Sequence, residues 1–261
     1  MNSKLNVGRT KYNLLKNLRQ KLFMCSKNNR HRNGTEWRNF YGRFKGKSLS
    51  ATQTKTLLTE FKKYSLQNIS WEENLLKNQV KLSEIFDEKP VWLEIGFGGG
   101  EHLIHQAKLN PDIGFIGCEP YQNGVAKLMG KLNANPYQNI KLYNGDVRNI
   151  FDVLAKNSIS KVFLLYPDPW PKKRHHRRRF VTQEFLVPLY EIMKPGSTLR
   201  IATDIEDYVR QALQELPRAG FQWLAKDASD WRTPWQDWVS TRYEIKALKE
   251  ERTPYYLTFI A

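Results

Sequence analysis

The chain has 261 residues, of which 40% are hydrophobic, and its 42 lysines and arginines outnumber 26 aspartates and glutamates to give a formal net charge of +16. This apolar fraction is enough for a folded core, and no stretch approaches the roughly 18 consecutive apolar residues of a membrane-spanning helix. We therefore expect a soluble globular protein with no membrane partner. Two isolated cysteines, Cys25 and Cys118, exclude a disulfide framework and a structural zinc site, so we expect no metal and a reducing, cytoplasmic environment.

Positive charge is concentrated in two segments. Residues 1–50 hold thirteen lysines and arginines against one glutamate, and residues 172–179 hold six basic side chains in eight positions. Blocks of like charge repel one another and favour a polyanionic partner, so a nucleic acid is the expected ligand. We assign residues 1–42 to a basic N-terminal extension, for which an RNA-contacting role, an amphipathic targeting sequence and a passive tail all remain open.

The remaining residues, 43–261, are expected to form one domain that begins with a mostly helical lead-in over residues 51–85. Thr52 or Thr54 is the expected cap of its first helix. Beyond residue 90, seven short apolar runs alternate with helix-like sequence. They are residues 91–95, 113–118, 140–143, 162–166, 198–202, 221–224 and 255–260. Continuous apolar runs are typical of strands buried on both faces, so we predict an α/β fold with a doubly wound, mostly parallel seven-stranded sheet and helices on both faces.

Acidic residues follow the first four strands, at the edge where such sheets bind their ligands. Glu94 precedes a glycine-rich turn, Gly96-Phe97-Gly98-Gly99-Gly100, that lacks the GxGxxG spacing of dinucleotide-binding proteins. Glu119, at the end of the second strand, is expected to accept hydrogen bonds from two ribose hydroxyls, and Asp146 from an adenine amino group. With Asp168, these carboxylates repel phosphate and attract ammonium and sulfonium groups, which predicts S-adenosyl-L-methionine as the cofactor.

A stiff segment and a basic block follow the fourth strand. Prolines alternate in Pro167-Asp168-Pro169-Trp170-Pro171, so the backbone must leave the sheet as a rigid loop that holds Asp168 above it. Trp170 is placed either to stack on a base or to cover the core. The basic residues 172–179 come next. A carboxylate, an aromatic ring and a phosphate-binding block in succession favour a nucleic-acid substrate over a small molecule.

These motifs closely resemble those of the bacterial tRNA (guanine-N7)-methyltransferase family. The resemblance rests on residues 93–100, Glu119, residues 144–146, Pro167 to Arg179, Thr203-Asp204 and Thr241 to Glu244, and it extends from about Arg43 to Ala261. It implies a Rossmann-like class I methyltransferase that uses S-adenosyl-L-methionine to make 7-methylguanosine in the variable loop of tRNA. The implied partner is tRNA, with no obligate protein partner and with a monomeric or homodimeric enzyme.

The resemblance also implies roles for individual residues. The cofactor-binding positions are Glu94, Gly96, Gly98, Gly100, Glu119, Asp146 and Asp168, and Asp168 also occupies the catalytic position. The substrate-binding positions are Lys172, Asp204, Thr241, Arg242, Tyr243 and Glu244. The RNA-contacting positions are Arg174, His175, His176, Arg177, Arg178 and Arg179.

Several of these residues also fit simpler interpretations. Thr241 and Glu244 match the S/T-x-x-E capping box, which is compatible with ligand contact. Because no further ligand follows at metal-binding spacing, His175 and His176 are expected to contact RNA, and we expect His102 and His105 to be ordinary helix residues.

Other functions fit part of the same pattern. The Pro-Asp-Pro-Trp segment is loosely similar to the D/N-P-P-Y/F/W motif of amino-methylating enzymes, so another nucleobase is an alternative target. A noncatalytic RNA-binding protein on a methyltransferase scaffold is a second alternative, and a nicotinamide oxidoreductase is disfavoured by the acidic crevice. Guanine N7 carries a lone pair and no proton at neutral pH, so its methylation needs no strong base. Asp168 is expected to orient the guanine and stabilise its developing positive charge.

Overall fold

A single sheet of seven strands organises the molecule. In the computed structural model, which describes residues 38–261, the strands are β1 (Val91–Ile95), β2 (Gly114–Cys118), β3 (Ile140–Tyr143), β4 (Ile159–Leu165), β5 (Met193–Thr203), β6 (Gln222–Trp223) and β7 (Tyr255–Ile260). They lie in the order β3-β2-β1-β4-β5-β7-β6. The first five strands pair in parallel, and β7 runs antiparallel to β5 and β6. The predicted mostly parallel, seven-stranded sheet is confirmed.

Helices cover both faces of this sheet. They are α1 (Ala51–Tyr64), α2 (Leu82–Phe86), α3 (Glu101–Leu109), α4 (Gln122–Ala134), α5 (Val147–Val153), α6 (Gln183–Ile192), α7 (Glu206–Arg218), α8 (Ser229–Arg232) and α9 (Arg242–Lys249), with a 3₁₀ helix at Lys173–Arg178. The larger core joins α5, α6 and α7 to strand residues such as Leu93 and Leu164. On the opposite face, Phe163 packs with Tyr256 and contacts His102 of α3.

The first helix is capped by Ser50, two residues before the earlier of its two predicted caps. The Ser50 hydroxyl accepts a hydrogen bond from the Gln53 N–H, and the Gln53 side chain accepts one from the Ser50 N–H, so the two residues form a complete capping box. The prediction of Thr52 or Thr54 as the cap is therefore wrong.

The predicted helical lead-in is interrupted between α1 and α2. Asn74 is buried, and its side-chain amide donates to the carbonyls of Asn68 at 3.1 Å and Asn78 at 2.7 Å while its oxygen accepts from the Asn78 N–H. Such side chain-to-backbone bonds compete with the helical ladder. The Leu66 N–H instead donates to the carbonyl of Leu142, so this segment covers the outer edge of β3. The predicted mostly helical lead-in over residues 51–85 is therefore helical at α1 and α2, and residues 65–81 between them are not.

Residues 42–261 form one compact unit, whereas residues 1–37 of the predicted N-terminal extension lie outside the described residues. No helix within residues 38–261 combines the length and the apolar character needed to cross a membrane. The same part of the chain contains no group of three or more His, Cys, Asp or Glu side chains arranged to hold a metal ion. The carboxyl ends of β1 to β5 meet at one edge of the sheet, and the candidate site lies there.

Candidate active site

The glycine turn between β1 and α3 forms the floor of the site. Gly96, Gly98 and Gly100 have φ angles of +76°, +56° and +73°, a backbone conformation that L side chains rarely adopt. A Cβ atom at Gly98 would lie 3.1 Å from Nη2 of Arg242, and one at Gly100 would lie 2.5 Å from the Leu128 side chain. Gly100 therefore allows α4 to pack against the turn, and Gly98 allows a guanidinium group to approach the backbone.

Glu94 lies below this turn and is paired with a histidine. Its Oε2 atom is 2.7 Å from Nδ1 of His102, and both side chains are buried. The His102 ring contacts Phe163 at 4.7 Å and Trp238 at 5.4 Å between ring centres, which fixes its orientation. The expectation that His102 is an ordinary helix residue is wrong, because it holds the carboxylate of a predicted cofactor-binding residue. One Glu94 oxygen remains to accept from a ligand.

Glu119 lies beside the glycine turn at the end of β2. One of its oxygens accepts from the Gly98 N–H at 2.6 Å, and the other accepts from the Tyr121 N–H at 2.8 Å. Burial raises the pKa of this carboxyl to about 6, although the two N–H groups and the charge of Arg242 act in the opposite direction. A carboxylate has about four acceptor positions, so Glu119 can still accept from ribose hydroxyls.

Asp146 is more fully engaged within the protein. It caps α5 by accepting from the Arg148 N–H at 3.0 Å, and its two oxygens also accept from the Arg148 guanidinium. Arg148 in turn pairs with Glu184 of α6. Nearby, the Asn144 amide donates to the carbonyl of Glu119 at 2.7 Å and ties the ends of β2 and β3 together. Asp146 therefore lies at the predicted strand end with most of its acceptor positions already used.

Asp168 stands on the proline-rich loop after β4. The loop begins and ends in left-handed backbone, with φ angles of +49° at Tyr166 and +40° at Trp170. The Asp168 side chain reaches solvent, yet the surrounding walls of the crevice desolvate its carboxyl and raise the pKa above its usual range, and the positive charge of Arg43 opposes this shift. The Asp168 carboxylate thus lies at the mouth of the crevice, and it has no close ion-pair partner among residues 38–261.

Arg179 does not belong to the RNA-contacting surface, and its predicted role is wrong. Its side chain is fully buried, and Nε donates to the carbonyl of Pro169 at 2.7 Å. The two Nη atoms donate to the Asp207 carboxylate at 2.8 Å, to the Asp207 carbonyl at 3.2 Å and to the Gln211 side chain at 3.0 Å. Arg179 therefore anchors the loop that carries Asp168 to α7.

The rest of the basic block remains on the surface. No residue of the 3₁₀ helix is buried, and Lys172, Lys173, Arg174 and Arg177 are exposed. Trp170 is half-buried and belongs to neither of the two core clusters described above for residues 38–261. The guanidinium of Arg178 lies 5.0 Å from the centre of its ring, and the His175 ring contacts its edge at 5.8 Å.

Desolvation and the neighbouring Arg178 and Arg174 charges lower the pKa of His175. Nε2 of His176 lies 3.2 Å from the Asp207 carboxylate, which Arg179 also contacts. The structure therefore places His175 at the exposed ring edge of Trp170 and turns His176 towards α7.

The segment before β7 contributes a second wall. The Thr241 hydroxyl accepts from the Glu244 N–H at 3.2 Å, but the buried Glu244 carboxylate accepts from Nε1 of Trp238 at 3.0 Å and from the Tyr256 hydroxyl. Only half of the predicted capping box forms. Glu244 thus anchors the start of α9, while Arg242 and Tyr243 extend towards the glycine turn.

Asp204, another predicted substrate-binding residue, pairs with Arg252. Arg252 also pairs with Glu250. The sequence itself predicts no role for Arg252 or for Glu250. No local sequence signal links Asp204 with Arg252, because 48 positions separate them.

Comparisons with known proteins identify the family of the chain. A family model described as "Putative methyltransferase" matches residues 88–257. A tRNA (guanine-N(7)-)-methyltransferase of Ruegeria sp. (strain TM1040) is 57% identical over 230 residues, which cover 88% of this chain and 90% of the relative. Its counterpart in Roseobacter denitrificans is 60% identical over 223 residues, covering 85% and 96% of the two chains.

Among solved structures, the 16S rRNA methyltransferase KamB matches with a TM-score of 0.53 at 14% identity, over 69% of this chain and 92% of that one. This likeness concerns the fold alone and agrees with the sheet order described above. The identity with the curated relatives extends along most of both chains. The chain therefore belongs to the tRNA (guanine-N(7)-)-methyltransferase family of class I S-adenosylmethionine-dependent methyltransferases.

Proposed function

We propose that the protein transfers a methyl group from S-adenosyl-L-methionine to N7 of a guanine in the variable loop of tRNA, giving 7-methylguanosine. The observation that carries this proposal is the juxtaposition of two buried acids, Glu94 and Glu119, at the glycine turn with Asp168 on an anchored loop beside an exposed basic helix. The reaction belongs in the cytoplasm with its tRNA substrate. No partner protein is expected, since the proposed cofactor-facing and guanine-facing residues lie on one chain.

The residues at the strand ends fit the cofactor chemically. The open backbone at Gly96, where a Cβ atom would meet nothing within 4 Å, leaves room for a ligand beside the turn. Glu119 would accept from the ribose hydroxyls, and the free oxygen of Glu94 would face the ammonium group. Asp146 is the candidate for the adenine amino group, with a weaker contribution because Arg148 already occupies its oxygens. When bound, the cofactor supplies an electrophilic methyl group on a positively charged sulfur.

Asp168 would act on the guanine. N7 has an in-plane lone pair and no proton to remove, so the protein needs to orient the base more than to deprotonate it. A carboxylate fixed at the mouth of the crevice favours the positive charge that develops on the purine ring. Desolvation raises the pKa of Asp168, and the positive charge of Arg43 opposes this shift and so favours the ionised form of the carboxyl.

The direct test is incubation of the full chain with labelled S-adenosyl-L-methionine and unmodified tRNA transcripts, followed by nucleoside analysis. We expect label in 7-methylguanosine, and a transcript whose variable-loop guanine is replaced by adenine should take up none. Label in another nucleoside would favour a different target base. Cofactor binding without transfer to any tRNA would favour the noncatalytic RNA-binding alternative.

We expect the exposed basic helix to bind tRNA phosphates. Replacing Lys173, Arg174 and Arg177 with glutamine should make the negative slope of log K for tRNA binding against log salt concentration shallower by about 2. Each lost phosphate contact removes about 0.7 from the magnitude of this slope. Filter binding across a salt series measures this slope.

The matched control for this triple variant replaces Lys108, Lys156 and Arg218 with glutamine. These exposed side chains lie at or just beyond the C-terminal ends of α3, α5 and α7, at the opposite edge of the sheet. The control should keep the wild-type slope. Equal loss of slope in both triple variants would mean that the basic helix contributes only through net charge.

Cofactor affinity should depend on pH through Glu119. Its pKa is raised to about 6, so the carboxylate that accepts from the ribose is increasingly protonated as the pH falls through that value. If the cofactor binds only the ionised form, the Kd should be about tenfold higher at about pH 5 than at about pH 7. Calorimetric titration at several pH values measures the dependence.

Two variants assign this pH dependence to a residue. Glu119→Gln should bind more weakly than the wild type, with an affinity nearly constant over this range, whereas Glu101→Gln, at an acid already paired with Lys131, should keep the wild-type dependence. A Glu119→Gln protein with the full pH dependence would show that another group is responsible.

A further inference from the structure

Arg242 presents an unpaired cation to the floor of the crevice. Its Nη2 atom lies 3.1 Å from the position that a Cβ atom would take on Gly98, and its guanidinium stacks 4.9 Å above the centre of the Tyr243 ring. The Tyr243 hydroxyl is 3.3 Å from Nη2. Within residues 38–261, no carboxylate oxygen lies within 4.0 Å of the Arg242 guanidinium. This arginine differs in that respect from Arg148, Arg179 and Arg252, which all have a carboxylate partner.

The position of Arg242 is fixed by buried contacts of its neighbours Thr241 and Glu244. Thr241 caps α9, and the Glu244 carboxylate binds Trp238 and Tyr256 in the core on the far side of the helix. The first turn of α9 therefore cannot rotate without breaking buried hydrogen bonds, and the guanidinium is directed to the glycine turn rather than to bulk solvent. Its side chain is only half-buried, so a ligand can reach it.

Most acids around the turn already have a partner of their own. Glu94 binds His102, Glu101 binds Lys131, and Asp146 binds Arg148. Glu119 is held by two backbone N–H groups and makes no ion pair with Arg242. Arg242 lies beside these acids but forms a close ion pair with none of them. Its N–H donors are therefore available to an anionic group of a ligand.

We propose that Arg242 binds the α-carboxylate of the methionyl group of S-adenosyl-L-methionine. This inference rests on the proposed function and assigns the one part of the cofactor that the acidic crevice would repel. The acids suit the sulfonium, the ammonium and the ribose hydroxyls, but the carboxylate needs a cation close to the glycine turn. A guanidinium offers two parallel donors to a carboxylate, and Gly98 is the position whose missing side chain leaves space for them. The role differs from the RNA-substrate contact that family resemblance implies for this residue.

The test compares two ligands that differ only in the carboxylate. S-adenosylhomocysteine carries it, and S-adenosyl-3-thiopropylamine keeps the amino group and lacks the carboxylate. In calorimetric titrations, Arg242→Gln should raise the Kd of S-adenosylhomocysteine about tenfold or more and that of S-adenosyl-3-thiopropylamine less than twofold. Arg242→Lys should fall between wild type and Arg242→Gln for the first ligand, because an ammonium group keeps the charge without the paired donors.

Lys246→Gln is the matched control, since Lys246 is an exposed cation one turn further along the same helix. It should bind both ligands as the wild type does. Equal weakening of both ligands by Arg242→Gln would overturn the inference, because it would indicate a displaced helix rather than a lost ion pair. Unchanged affinity for both, together with weaker tRNA binding, would overturn it in favour of an RNA phosphate contact. A wild-type protein that binds neither ligand would instead contradict the proposed function itself.

Discussion

Asp168→Asn is expected to lower kcat for tRNA methylation about 100-fold, the low end of the loss seen when a preorganised electrostatic group is removed from an active site. Asparagine keeps the shape of the side chain and one oxygen acceptor, so the loop and the cofactor site should change little. What it removes is the negative charge that favours a positively charged purine. We therefore expect the Kd for S-adenosyl-L-methionine to stay within about threefold of the wild-type value. Single-turnover kinetics with a tRNA transcript and calorimetry with the cofactor measure the two quantities.

Glu101→Gln is the control for this substitution. Glu101 is a carboxylate next to the same glycine turn, but it is half-exposed and already paired with Lys131 at 2.8 Å. Its loss should change kcat less than about threefold, because a partly exposed ion pair contributes little. Full turnover by Asp168→Asn at unchanged cofactor affinity would contradict the electrostatic role. A large rise in cofactor Kd at unchanged single-turnover rate would make Asp168 a cofactor ligand only.

The sheet was predictable from sequence because its strands are buried on both faces. Runs such as residues 140–143 and 255–260 match β3 and β7 residue for residue. The carboxylates at the ends of the parallel strands β1 to β4 fall at one edge of the sheet, as parallel pairing requires. β5 shows the limit of this reasoning. It begins at Met193, five residues before the predicted start, and includes an exposed Lys-Pro-Gly segment in which Gly196 has a φ of +79°. That segment has the composition of a turn, and it lies between Met193, which pairs with Ile159, and Thr198, where regular pairing with β4 and β7 begins.

The partners of the charged site residues were not predictable in the same way. Glu94 and His102 are eight positions apart on different elements, and Arg179 and Asp207 are 28 apart. A single sequence shows that these side chains are ionisable, but whether each is paired and buried or free to meet a ligand depends on tertiary packing. Arg179 illustrates the consequence. It is buried, whereas Arg174 and Arg177 in the same basic block are also arginines and are exposed. A basic block in sequence therefore mixes exposed residues with one that is buried and holds the loop.

Arg179→Met should lower the free energy of unfolding by about 2 to 4 kcal/mol, which makes it the most destabilising single change within the basic block. Methionine has a similar length and leaves little cavity, so the loss comes from hydrogen bonds. The carbonyls of Pro169 and Asp207 lose their buried donor, whereas the Asp207 carboxylate is half-exposed and can be solvated. Arg179 also holds the pKa of Asp207 below its usual range by hydrogen bonding, and that pKa should rise in the variant. Urea denaturation monitored by tryptophan fluorescence gives the change in stability.

Arg179 is either a loop anchor or an RNA contact. A comparison of Arg179→Met with Arg177→Met, in stability and in tRNA affinity, distinguishes the two interpretations. Arg177 is exposed in the 3₁₀ helix that ends just before Arg179, so its loss should leave the stability within about 0.5 kcal/mol and weaken tRNA binding. Arg179→Met should instead unfold at lower urea and lower kcat through the loop that carries Asp168, with a smaller effect on tRNA affinity in the folded fraction. Arg179→Lys should recover part of the stability, because one ammonium can reach a carbonyl but cannot reproduce the forked geometry. An Arg179→Met protein as stable as the wild type that bound tRNA more weakly would return this residue to the RNA-contacting set.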